Sequence, residues 1–90
     1  MIKIREPISV KISEHLKDFT SKDDRADVIS KVNGVSSSTL RDLVYRGNSV
    51  TEYNLPALKL LLIKACQNAD AKMKQASNCK KDIKKIIDCI

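Results

Sequence analysis

The stretch that most constrains this chain is Ile29-Ser30-Lys31-Val32-Asn33-Gly34-Val35-Ser36-Ser37-Ser38-Thr39-Leu40-Arg41-Asp42-Leu43-Val44. Ala26, Ile29 and Val32 fall three residues apart and predict the buried stripe of a helix over residues 25–33. Asp23 or Asp24 is placed to cap that helix, where negative charge favours its N-terminal dipole. Gly34 stands where the helix must end in a left-handed conformation, which glycine adopts without a Cβ penalty. Ser36 is placed to cap a second helix that runs to about Tyr45, before Gly47-Asn48 stops it. The pattern is two short helices joined by a tight glycine turn.

At about 100° per residue the second helix has two contrasting faces. Leu40, Leu43 and Val44 share one sector, and Ser37, Ser38, Arg41, Asp42 and Tyr45 occupy the opposite one. Such a helix packs with its aliphatic side and leaves hydroxyls, a guanidinium and a phenol in solvent. Small serines at its start let the N-terminus approach a duplex closely, and their hydroxyls and free N–H groups suit phosphate oxygens or base edges.

In these residues the chain resembles the helix-turn-helix of the lac repressor and lambda repressor/Cro-like families. The matching positions are the aliphatic Ile29, the small Ser30, the turn Gly34-Val35-Ser36, then Ser38-Thr39-Leu40 and Leu43-Val44. The likeness covers about Asp24 to Val50, and the helix announced by Asn54-Leu55-Pro56-Ala57 is similar to the supporting helix of such domains. The resemblance implies an all-α bundle that binds double-stranded DNA, a small transcriptional regulator of bacterial, phage or mobile-element origin. It implies that Ser37, Ser38, Arg41 and Asp42 face the major groove, with Ser36, Thr39 and Tyr45 near the backbone. Bidentate guanine contacts are then limited to Arg41 and Arg46, because lysine dominates the basic residues. Asp42 departs from the pattern. It repels phosphates, although it is able to accept a hydrogen bond from cytosine N4, or to pair with Arg46 four residues on. The alternative reading is a protein-interaction or phage assembly module that keeps this fold without reading bases.

Composition is consistent with one domain. The chain has 90 residues, 42% hydrophobic and 31% charged, enough for one core and too few for a deep enzyme cleft. With Phe19, Tyr45 and Tyr53 as its aromatics, that core is aliphatic. The net charge of +6 favours polyanions, nucleic acid first. No run approaches the roughly 20 apolar residues of a membrane span, and the N-terminus lacks the order of a signal peptide, so a cytoplasmic location is expected. Cys66, Cys79 and Cys89 match no zinc spacing and are read as buried or idle thiols. Ser36 to Ser38 have no accompanying base, and there is no Gly-rich phosphate loop or carboxylate pair in a cleft-forming context. No enzyme, cofactor, metal or small-molecule substrate is expected.

The flanking segments give three further expectations. Ile2, Ile4, Ile8, Val10 and Ile12 follow a period-two pattern broken by Pro7, which favours an extended arm or edge strand over residues 1–12. A helix from Pro7 would instead align Ile8, Ile12, Leu16 and Phe19. Lys3, Arg5 and Lys11 would suit such an arm to a minor groove. In the extended reading Ser13 caps a helix from Glu14 to about Thr20, within a helix-turn-helix domain of residues 13–76. Beyond it, Leu55, Leu58, Leu61, Leu62, Ala65, Cys66, Ala69 and Met73 form a stripe at helical spacing to about Gln75, and Ser77-Asn78 breaks it. A final amphipathic helix, residues 77–90, carries Ile83, Ile86, Ile87 and Ile90 on one face, as a lid on the bundle or the seam of a homodimer. Lys80, Lys81, Lys84 and Lys85 take its other face.

Overall fold

The computed structural model describes residues 2–90. Its helices are α1 (Val10–Phe19), α2 (Lys22–Lys31), α3 (Ser37–Val44) and α4 (Leu55–Cys89), with no strand among the described residues. The all-α expectation is met.

The N-terminal segment differs from the extended arm expected through Ile12. Helix α1 begins at Val10, behind Ser9, whose hydroxyl accepts the Ile12 N–H at 3.2 Å. The three-and-four spacing of Ile8, Ile12, Leu16 and Phe19 prevails over the period-two pattern because it brings four side chains to one core. Ser13 is therefore no cap. It is buried against α3, where its hydroxyl donates to the Val44 carbonyl at 2.6 Å. The residues before α1 are held by the connection between α3 and α4. The Arg5 N–H donates to the Val50 carbonyl at 2.7 Å, and the Val50 N–H donates to the Glu6 carbonyl at 2.9 Å. Ile8 closes the core, and the segment is neither a free arm nor a strand.

Helix α2 starts earlier than expected because Ser21, rather than Asp23 or Asp24, is its cap. Ser21 Oγ accepts the Asp24 N–H at 3.2 Å, and Asp24 Oδ2 accepts the Ser21 N–H at 2.9 Å, a reciprocal capping box. The helix packs against both α3 and α4, so its buried sector centres on Val28 with Ile29 and Val32 half-buried beside it. Ala26, expected in the stripe, is exposed instead. After Val32 the chain turns at Gly34, φ +83°, buries Val35, and enters α3 at the expected place.

Helix α4 starts where Asn54 and Pro56 predict. Proline in the first turn loses no hydrogen bond there. Asn54 is buried, but its side chain ties the preceding loop: Oδ1 accepts the Thr51 N–H at 2.7 Å and Nδ2 donates to the Ser49 carbonyl at 3.2 Å. The expected break at Ser77-Asn78 is absent, and one 35-residue helix replaces two. Serine and asparagine each cost only about half a kcal/mol relative to alanine inside a helix, and no glycine or proline follows Pro56. Residues 77–90 are thus not a lid. They extend the helix to about 52 Å, and the molecule measures 57 × 25 × 16 Å.

The core gathers Ile8, Leu16, Leu40, Leu43, Val44, Val50, Leu58 and Leu61, each at most 1% exposed. Open space surrounds the position a Cβ would take at Gly34, so any penalty for a side chain there is backbone strain alone. Gly34→Val is expected to lower stability by about 1–2 kcal/mol in urea unfolding, and Gly34→Asn by distinctly less. Equal stability for both variants would exclude a left-handed requirement at this turn.

Candidate nucleic-acid interface

The exposed face of α3 follows from how its other face is anchored. Leu40, Leu43 and Val44 are fully buried, each contributing about 1.5–3 kcal/mol by leaving water. That fixes the rotation of the helix and leaves Ser37, Ser38, Arg41 and Tyr45 exposed, with Thr39 and Asp42 at the rim.

The hydroxyl cluster at the start of α3 divides by task. Ser36 Oγ accepts the Thr39 N–H at 3.2 Å and lies 2.8 Å from Thr39 Oγ1 and 3.2 Å from Ser38 Oγ. Ser36 and Thr39 are therefore occupied in closing the helix end. Ser37, outside this network, faces the first turns of α2. Lys22, Arg25, Ala26, Ser37 and Arg41 line a shallow cleft of ≈ 120 Å³ between the two helices. Lys22 and Arg25 were not among the sequence-predicted site residues. Their charge was visible, but only the packing of α2 on α3 brings them beside Arg41.

Arg41 and Asp42 form an ion pair at 3.4 Å, with side chains 57% and 43% exposed. Solvent-exposed pairs of this kind are worth at most about 1 kcal/mol, and α3 gains little from it. The partner foreseen for Asp42, Arg46, lies elsewhere. Arg46 sits at φ 64° just past α3, and its Nε donates to the Ile8 carbonyl at 2.7 Å. That bond joins the end of α3 to the N-terminal segment and gives Arg46 a role in the fold. Tyr45 remains exposed, with the Lys17 ammonium 4.8 Å from its ring centroid. This adds α1 to the edge of the same basic surface.

The remaining candidates separate from this surface. Ile83, Ile86, Ile87 and Ile90 lie exposed on the distal half of α4. Cys66, Cys79 and Cys89, expected to be buried or idle, are exposed along the same helix. Among the described residues no cluster of His, Cys, Asp or Glu is arranged to hold a metal ion, and no helix is long and apolar enough to cross a membrane.

The different settings of the two arginines make separable expectations. Arg46→Ala is expected to destabilise the fold by about 1 kcal/mol, since it leaves the Ile8 carbonyl without this partner. Arg41→Ala is expected to change stability by less than about 0.5 kcal/mol. Thermal unfolding of the two variants checks the assignment, and a larger loss for Arg41→Ala would reverse it. No protein-family model matches the chain, and no curated protein or solved structure is measurably similar to it.

Proposed function

We propose that this chain binds double-stranded DNA through the exposed face of α3 and the adjoining start of α2, as a small helix-turn-helix transcriptional regulator of bacterial, phage or mobile-element origin. The observation that carries this reading is the cleft where Lys22, Arg25 and Arg41 surround Ser37. Three cations converge there from two helices, beside an exposed hydroxyl on the first residue of a helix. Phosphate oxygens suit that chemistry. Lys22, Arg25 and Arg41 neutralise the backbone and release counterions, while Ser37 and Ser38 reach base edges or phosphates. The Arg41–Asp42 pair is weak enough to exchange its carboxylate for a phosphate on docking. The net charge of +6 supports the same partner.

One observation favours the alternative, a protein-interaction or phage assembly module without base reading. Asp42 offsets Arg41, the one basic side chain on the exposed face of α3. A titration with duplex DNA across a range of salt concentrations distinguishes the two. DNA binding predicts that log K falls linearly with log salt, and that Arg25→Ala and Arg41→Ala each flatten the slope by about one phosphate contact. Asp42→Asn is expected to tighten binding several-fold by removing a negative charge from the contact surface. Folded protein that fails to bind duplex even at low salt would favour the interaction module.

A further inference from the structure

Helix α4 carries a single row of side chains at steps of three and four, with two successive steps of four on either side of Lys72. Its first part is Leu58, Leu61, Ala65 and Asn68, which the bundle covers, followed by Lys72 at the edge of the bundle. Leu58 and Leu61 are fully buried and Ala65 is 8% exposed. Asn68 Nδ2 donates to the Phe19 carbonyl at 2.8 Å, and the Lys72 ammonium lies 5.0 Å from the Phe19 ring centroid. The same row continues as Ala76, Cys79, Ile83, Ile86 and Ile90, where nothing covers it. Every residue from Asp70 to Ile90 is exposed, with Ile83 at 50%, Ile86 at 60%, Ile87 at 62% and Ile90 at 99%.

We propose that residues 76–90 pair with the same segment of a second copy of this chain as an antiparallel two-stranded coiled coil. Steps of three and four sustained from Ala76 to Ile90 form the a and d seam that accepts another helix. The interface continues the face on which α4 already packs within its own bundle. Charge is compatible with self-pairing, because Lys81, Lys84, Lys85 and Asp88 project from the opposite side of the helix and stay hydrated. Burying Ala76, Cys79, Ile83, Ile86, Ile87 and Ile90 from two copies, at roughly 60–120 Å² per side chain, gives on the order of 1,000 Å². That reaches the size of a specific interface.

Orientation follows from the position of the bundle. Helices α1 and α2 cover α4 on the same face that carries the exposed row, so a parallel copy would bring its own bundle into the space they fill. An antiparallel copy enters from the open end, and its last turn stops short of the first bundle. With Ile83 beside the partner's Ile86, Cys79 faces the partner's Ile90, Lys80 meets the partner's Ile87, and Asp82 meets the partner's Cys89. No like charges oppose one another across the seam in this register.

The pairing is independent of the DNA reading and is tested without DNA. Sedimentation equilibrium of the full chain under reducing conditions, across the micromolar range, is expected to show a mass rising to twice 10.1 kDa. The double variant I83D/I86D is expected to weaken association roughly a hundredfold or more, because it places carboxylates in the seam. Both positions are exposed in the single chain, so its thermal transition is expected to persist. For orientation, a C66S/C89S/I90C chain is oxidised under mild conditions and its intermolecular disulfides are mapped. A link from Cys79 to the introduced cysteine at position 90 is the expected product. A link between two Cys79 residues, or a trimer, means parallel helices and overturns the proposal. A monomer at every concentration also overturns it. A monomer that binds vesicles of anionic phospholipid would assign the isoleucine row to a lipid surface instead.

Discussion

The docking of α3 through Leu40, Leu43 and Val44 is the constraint on which the rest of the structure depends. An eight-residue helix has little stability of its own in water, because its nucleation is unfavourable and its hydrogen bonds are few. It persists here because its aliphatic sector lies in the common core with Ile8, Leu16, Leu58 and Leu61. Once that sector is buried, the rotation of α3 leaves no freedom in what it presents to solvent. The hydrogen bond from Ser13 to the Val44 carbonyl holds the last turn from the other side and satisfies a carbonyl that the helix leaves unpaired. The chemistry of the exposed face is thus a consequence of the core.

The N-terminal segment serves the same end. Ile8 enters the core, and the backbone around it exchanges hydrogen bonds with Val50, while the Arg46 guanidinium reaches the Ile8 carbonyl. These contacts lock the turn after α3, where Arg46 adopts a left-handed conformation that a non-glycine residue rarely adopts. A long-range bond made by the side chain of the strained residue itself offsets part of that strain. The basic residues near α3 therefore fall into two groups. Arg46 is tied to the N-terminal segment, whereas Lys22, Arg25 and Arg41 line the cleft between α2 and α3, with Arg41 paired to Asp42.

The legible parts of the sequence were those in which one residue's local chemistry decides the outcome. Gly34, Ser36 and Pro56 each act within their own turn, and all three sit where their chemistry places them. The aliphatic face of α3 was equally clear, since three residues in eight define it. Less legible were choices between two local patterns. Ile8 and Ile12 satisfy both an alternating and a helical period, and only the position of the core on one side selects the helix and leaves Val10 exposed. Ser77-Asn78 resembled a boundary, but weak helix formers without glycine or proline bend nothing when their neighbours are lysine, alanine and isoleucine. The cationic cleft was out of reach for another reason. Lys22 and Arg41 lie far apart in sequence, and their convergence is a property of helix packing.

The continuity of α4 changes what its C-terminal half means. A separate amphipathic helix could fold back and hide its isoleucines, which is the role a lid would have. A rigid helix that leaves the bundle along its own axis cannot do so, because reversing direction needs a break that the sequence between Ala57 and Cys89 does not contain. The isoleucine row is therefore directed outward by the same absence of glycine and proline that keeps α4 intact. Helix α3 is fixed by burial and α4 by continuity, and each leaves a defined face in solvent. The first face is polar and the second is apolar, so the chain presents two kinds of surface chemistry on one small core.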